Sequence, residues 1–537
     1  MGSKPDESMG FEKIVIGGLA GLMLLKLYEN FLSWYAVPKN KLLLIVAGIG
    51  LLVLAILFYW EKLNRKYKKW KHERKIIGKD DDSVFCGVTD KNEDVWIKPA
   101  QRSMHTQVIG TTNAGKTESV ILPWAIHDIH NKRGLLLIDG KADNSLLDKL
   151  WSYVVAAGRE KDFRLFSLGR RDESFQFNPL LGGTAEEITE RVFNSFEFEN
   201  PYYRSIQYEV MNQVMRVFEA TKTHVTFQRL YQAISNPVVL EDMSSKLSDP
   251  SLAQWIQWYC QLAHKDRETR TSGLLTAIGH FAFGANANLF NTVEGAITLD
   301  EALMKNQIVY FQLPVLLSPF LGKATGKLVL QSLQAAVANR HRLDQKGKKE
   351  FFSVFLDDFS EYLYPGFVSI LNKSRSANVG IVFAHQALGD IQTLGDPVAN
   401  SILTNSNLKV FMRGNTPDSA EYFSKVIGTT SSTKFTERQK KGRLGTAKSG
   451  DVSAREVEEF VIHPNVFKRD LGVGEAIMLI PHERGAKTVR IKFNKIDDLP
   501  PVELPKIGKI NLDLIKIEQK EIATTTPTTA NPFDQAS

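Results

Sequence analysis

Gly110-Thr111-Thr112-Asn113-Ala114-Gly115-Lys116-Thr117 carries two glycines five apart, then a lysine and a hydroxyl residue, with Glu118 next in the run. Glycines at that spacing allow a tight loop whose backbone N–H groups converge on phosphate oxygens. Lys116 brings a cation to the terminal phosphates, and the Thr117 hydroxyl is suited to a magnesium ion at the start of a helix. The apolar run HTQVIG before the loop reads as a short buried strand, and the stretch after it reads as an apolar helix. That strand–loop–helix context separates a nucleotide cradle from an unused glycine turn, and it points to ATP and Mg2+.

Phosphoryl transfer also needs a carboxylate for the metal and a group that orients the attacking water, both at strand ends beside the loop. Two apolar strands offer one, GLLLID ending at Asp139 and FFSVFLDD ending at Asp357-Asp358. The later strand is preferred, with Asp357 for magnesium and Asp358 for the water. Asp139, Lys141 and Asp143 are a secondary element of the site, or a strand-end turn, since aspartates favour turns. A third strand, NVGIVFAHQ, places Gln386 where it can sense the terminal phosphate or position water, although a glutamine at a strand end is also ordinary turn chemistry. Arg375 is the preferred candidate for a cation that reaches across a subunit boundary to transition-state charge, and Arg413 the second; exposed arginines are more often simply solvated.

The elements that must position these residues alternate strand and helix, which predicts an α/β sheet over residues 76–183 and 299–500. Strands are expected at 308–313 and around Phe352, Val379, Leu408 and Ala476, with a helix over 326–342. Residues 184–298 lose the strand-like runs, and apolar residues recur at three and four, which predicts an all-helical insertion. Its aromatic residues Tyr202, Tyr203, Phe218, Trp255, Trp258 and Tyr259 have the spacing of a helical core rather than of a base-stacking surface. The basic stretch 434–448 has few apolar residues and reads as a solvated loop able to track phosphates or a partner. Residues 501–537 are polar and read as a disordered tail.

The N-terminal 75 residues have a different character. LLLIVAGIGLLVLAILFYW (42–60) holds no charge over the length needed to cross a bilayer as a helix. Residues 14–37 are also apolar, with Phe31, Trp34 and Tyr35 gathered at one end, so a hairpin of two spans is expected. The lysines and arginines of EKLNRKYKKWKHERK (61–75) directly follow the second span, which predicts a two-pass protein with its large domain in the cytoplasm. Lipid headgroup contact is an added role for that run.

Composition narrows the class. The 537 residues are 43% hydrophobic and 24% charged, with a formal charge of +7, which is ordinary for a globular chain and weak evidence for nucleic acid. Cys86 and Cys260 are far apart and match neither a disulfide framework nor a zinc site. His127 and His130 lack a third ligand at metal spacing and are set aside.

Together the membrane hairpin, HTQVIGTTNAGKTES, LLLIDGKADNS, the Phe177-Asn178-Pro179-Leu180 motif, FLDDFSEY, SRSANVGIVFAHQALGDI, ILTNSNLKVFMRGNTPDSAEYFSKVIGTTS and LGVGEAIMLIP resemble the TraG/TraD type IV coupling proteins, and more distantly the FtsK and HerA translocases. The resemblance runs through most of the chain. It implies a RecA-like P-loop NTPase domain with an all-α insertion on the cytoplasmic side, anchored in the bacterial inner membrane. It also implies a homohexamer with a central channel and ATP between subunits. The partners implied are type IV secretion channel components, and a relaxase–DNA complex or effector proteins with their adaptors. Many relatives carry Asp-Glu where this chain has Asp357-Asp358; the shorter side chain sets the second carboxylate back and bears on rate rather than fold. Two other readings are an FtsK-like chromosomal DNA pump, of which a DNA-reading C-terminal domain is expected, and a cargo docking receptor with little hydrolysis.

Overall fold

The computed structural model describes residues 23–507 apart from 24, 78–81, 199, 343–348 and 443–444. The chain divides into two units, residues up to 74 and residues from 75 on. In the first, residues 25–35 are helical and a 40-residue helix, Pro38–Ile77, follows. Among the described residues Val46–Lys66 is the one stretch long and apolar enough to cross a membrane. Of the expected two-span hairpin one such helix is described, and residues 14–22 and 24 of the other expected span lie outside the described residues. The basic run 61–75 continues the same helix, since it is built of good helix formers with no glycine or proline.

The second unit is built on an 11-stranded sheet in the order β2-β1-β13-β12-β9-β3-β8-β7-β4-β6-β5. The strands are β1 (Val84–Thr89), β2 (Asp94–Ile97), β3 (Thr106–Ile109), β4 (Leu135–Asp139), β5 (Phe163–Ser167), β6 (Ile308–Gln312), β7 (Phe352–Asp357), β8 (Val379–His385), β9 (Leu408–Phe411), β12 (Glu475–His482) and β13 (Gly485–Phe493). From β5 to β9 all neighbours are parallel, and β12, β13, β1 and β2 extend the sheet antiparallel. The parallel strands are mostly apolar because both faces are covered, with Gln107, Arg164 and Lys409 among the exceptions. Alternate residues go to opposite cores: Leu136, Ile138, Val354 and Leu356 face the long helix Pro319–Arg342 and the insertion, whereas Leu135, Leu137 and Phe355 face the helices Leu122–His130 and Asn144–Ala156.

Residues 184–298 contain helices and no strand among those described. Their starts carry side-chain caps: Thr184 accepts from the Glu187 N–H, and Asn200, Thr226, Asn236 and Asp249 cap the helices that follow them. Of the insertion aromatics, Phe218 and Tyr259 are core, Trp255 packs against it, and Tyr202, Tyr203 and Trp258 are exposed.

Two further expectations change. Of the basic stretch 434–448, expected as a loop, residues 434–442 and 445–448 lie in a separate antiparallel ribbon of β10 (Thr429–Gly442) and β11 (Gly445–Phe460). Cross-strand backbone pairing satisfies N–H and C=O groups there without an apolar face. The polar tail, expected from 501, starts with residues that pack: Trp151 Nε1 donates to the Glu503 carbonyl at 3.1 Å and Leu504 joins the apolar cluster around Trp151. Residues 508–537 lie outside the described part.

Candidate functional site

The phosphate loop leaves the C-terminal end of β3, between β8 and β9. Its shape depends on Asn113 and Gly115 at φ 63 and 96, the left-handed region that glycine occupies at no steric cost. A Cβ on Gly115 would stand 3.3 Å from the Gly474 nitrogen and 3.1 Å from Ser119 Oγ. Neighbouring strands clamp the loop: the Thr111 N–H donates to the Arg413 carbonyl at 2.9 Å, and the Gly474 N–H donates to the Ala114 carbonyl at 3.0 Å. The helix after it opens with a widened turn, Thr117–Ile121. Pro123 lies just beyond and has no N–H to close a regular turn there.

Lys116 is folded back on this loop, donating to the carbonyls of Gly110 (2.7 Å) and Thr111 (3.2 Å). Burial lowers its pKa. Thr117 Oγ1 donates to Asp357 Oδ2 at 2.7 Å, so two candidates separated by 240 positions in sequence meet directly. Burial, and then the charge of Asp358, raise the Asp357 pKa. Asp358 follows at φ 47, and its Oδ2 lies 3.0 Å from Lys141 Nζ while its Oδ1 is buried without a hydrogen-bond partner.

The strand that carries Asp357 is not the immediate neighbour of β3; β8 stands between them. Asp139 is level with Asp357 on the adjacent β4. It closes the turn after β4 by accepting the N–H groups of Lys141 (2.9 Å), Ala142 (3.1 Å) and Asp143 (2.9 Å), and it accepts the Tyr310 hydroxyl at 3.0 Å. Burial, with the Asp357 charge adding to it, pushes its pKa up to about 7. Asp139 thus makes the strand-end turn, and of this turn Lys141 and Asp143, not Asp139, line the cavity beside the phosphate loop.

Gln386, one residue past β8, accepts from the Thr112 hydroxyl at 3.1 Å, and its own N–H is held by Asp390 Oδ2 at 2.8 Å. Arg375 lies at the other end of β8, exposed, a full seven-residue strand from the loop. Arg413 meets the loop through its backbone carbonyl.

Several residues escaped the sequence reading. A cavity of about 670 Å³ is lined by Lys116, Thr117, Lys141 and Asp357 on one side and by Val473, Gly474, Lys492, Phe493 and Lys495 on the other. The second group comes from the β12–β13 end of the chain; Val473 and Gly474 lie in LGVGEAIMLIP, and no motif marks Lys492, Phe493 or Lys495. Below the loop Lys409 donates to Gln107 Oε1 (3.0 Å) and the Leu403 carbonyl (2.8 Å), and Gln107 Nε2 meets His385 Nε2 at 3.0 Å. Burial pushes Lys409 down to about 7 and His385 to about 4. A neutral His385 then donates from Nδ1 to the Ala387 carbonyl at 2.8 Å and accepts from Gln107.

The donor set fits magnesium. Thr117 and Asp357 present a hydroxyl and a carboxylate oxygen to the cavity, hard donors of the kind this ion takes, whereas both Asp139 oxygens are already occupied by backbone N–H groups and the Tyr310 hydroxyl.

Residues 352–469 match the family described as the TraM recognition site of TraD and TraG. The type 4 coupling protein DotL of Legionella pneumophila is 22% identical over 411 residues, 65% of this chain and 52% of DotL, so the chain spans about half the length of that relative. The bacterial conjugative coupling protein TrwB, unbound, superposes with a TM-score of 0.55 at 12% identity, over 78% of this chain and 91% of TrwB. TrwB has also been solved with ADP and Mg2+, again at a TM-score of 0.55, 12% identity and the same coverage. At such identity the likeness is one of fold.

Proposed function

We propose that this chain, a relative of the type IV coupling proteins, is a membrane-anchored ATPase. It recruits a DNA–relaxase complex or effector protein and couples ATP hydrolysis to its delivery into a type IV secretion or conjugation channel. The observation that carries the reading is the 2.7 Å bond between Thr117 of the phosphate loop and Asp357 of β7, at one edge of a sheet that also presents Lys116, Asp358 and Gln386. The apolar helix Val46–Lys66 supports an anchor, and the basic residues after it support a cytoplasmic motor domain in a two-pass inner-membrane protein.

In this reading Lys116 leaves the Gly110 and Thr111 carbonyls for the terminal phosphates. Thr117, Asp357 and the backbone N–H groups of residues 112–118 hold the magnesium nucleotide. Bound magnesium supplies charge neutralisation and polarises the terminal phosphoryl group. Gln386 orients the attacking water, and Asp358 takes its proton as the oxygen–phosphorus bond forms and ADP departs with the bonding electron pair. Arg375 acts on a neighbouring subunit of a homohexamer.

The test is the ATPase rate of the detergent-purified chain with and without single- and double-stranded DNA, beside Lys116→Ala and Asp358→Ala. DNA-stimulated turnover abolished by both substitutions supports a DNA motor. Absence of turnover under every condition removes it.

A further inference from the structure

Lys141 has no part in the hydrolysis just described, yet its side chain occupies the boundary between the nucleotide cavity and Asp358. Its backbone is fixed, because the Lys141 N–H is held by Asp139 Oδ1 at 2.9 Å. Backbone N–H groups of Lys141, Ala142 and Asp143 close the turn on Asp139, so the Lys141 side chain is not needed for it. Lys141 Nζ nevertheless reaches Asp358 Oδ2 at 3.0 Å, with the lysine half exposed and the carboxylate buried. The cavity wall includes Lys116, Lys141 and Asp357 but not Asp358. The residue suited to accept the water's proton is therefore drawn aside by a cation that itself faces the phosphate site.

We propose that Lys141 is a terminal-phosphate-responsive latch on Asp358. Without nucleotide it holds the carboxylate away from the cavity; a nucleoside triphosphate draws the ammonium to its terminal phosphate and releases the carboxylate. The proposal rests on the ATPase reading and adds a positioning residue to it. A terminal phosphate carries about twice the charge of a carboxylate, so at similar range it attracts the ammonium about twice as strongly. Asp358 begins half satisfied, since Oδ1 has no partner, and release lets the carboxylate turn toward the cavity. The water's oxygen then bonds to the terminal phosphorus, its proton passes to Asp358, and the bond to the bridging oxygen breaks with its electron pair leaving on ADP. ADP lacks the γ-phosphate that drew Lys141 away, so the latch closes again.

The test measures binding of a non-hydrolysable ATP analogue and of ADP to the full chain in detergent, for wild type, Lys141→Met, Lys141→Arg, Asp358→Asn and the Lys141→Met/Asp358→Asn double variant. Lys141→Met should weaken the analogue by roughly tenfold while leaving ADP unchanged, and Lys141→Arg should restore most of the difference. Asp358→Asn should tighten the analogue and not ADP, because the competing carboxylate is gone, and this gain should vanish in the double variant. Equal effects on the two nucleotides, or an Asp358→Asn effect independent of Lys141, overturns the latch and leaves the ATPase reading standing. If wild type binds neither nucleotide, both fall. Should Lys141→Met fail to fold, the selective tightening by Asp358→Asn decides the matter alone.

Discussion

At the scale of single residues, the proposed mechanism assigns binding and reaction to neighbouring groups. Thr117 and Asp357 face each other and would hold the magnesium nucleotide, whereas Asp358, the proposed base, stands one residue further on in a left-handed conformation. Asp358→Asn should therefore leave ADP affinity within about twofold and cut turnover by roughly 10²–10⁴, the usual range for a general base. Equal loss of binding and turnover in paired titration and steady-state assays would make it a structural residue instead. Lys409 poses a different question, because its ammonium is buried against Gln107 of β3 and the Leu403 carbonyl. With the folded value lowered to about 7, the unfolded chain binds the extra proton between about pH 7 and 10. Stability should then rise with pH across that window, by up to about 1.4 kcal/mol per unit, and the penalty should be fully present below pH 7. Denaturation midpoints measured from pH 6 to 10 should show this slope in wild type and lose it in Lys409→Met.

The elements bring these residues together through contacts of long sequence separation. Tyr362, in the turn after β7, donates to the carbonyls of Asp357 (2.8 Å) and Ile138 (3.2 Å), tying the ends of β7 and β4. The helix Pro319–Arg342 approaches that tyrosine at Gly326, where a Cβ would stand 2.7 Å from Tyr362 Cβ. Gly326→Ala should cost about 1–3 kcal/mol of stability through overpacking and lower turnover by moving Asp357. A shifted thermal midpoint with unchanged turnover would show that the tie does not reach the site. This geometry explains what was legible in the sequence. The phosphate loop and the carboxylate-ended strands announce themselves, because a loop motif and an apolar run ending in Asp are local. The helical character of residues 184–298 was legible too, since helical spacing is local. That β8 stands between the loop strand and Asp357, that Lys141 reaches Asp358, and that Lys492 and Phe493 line the cavity all depend on strand order. The β10–β11 ribbon was missed because its backbone pairing leaves no apolar alternation to read.

At the scale of the whole molecule, the position of Arg375 decides how many chains make one active site. It sits at the start of β8, whereas Gln386 and the phosphate loop lie beyond its end. Seven strand residues span about 23 Å, too far for an arginine side chain to cross within one subunit. If Arg375 supplies a cation in catalysis, it does so to a neighbour, and the site is incomplete in a lone chain. Lys116→Ala and Arg375→Ala should then each be inactive alone but complement when mixed. An interface that takes its phosphate loop from an Arg375→Ala subunit and its arginine from a Lys116→Ala subunit is whole. In a randomly mixed ring at equal ratio about one interface in four has that composition, so the mixture should recover up to about a quarter of wild-type turnover if sites act independently. ATPase assays on chains mixed before assembly, with the exposed Arg469→Ala as a control expected to keep its rate, provide the measurement. Recovery near zero with both variants assembled, or an active Arg375→Ala protein, removes Arg375 from the reaction and makes Arg413, whose backbone already holds the phosphate loop, the next arginine to examine.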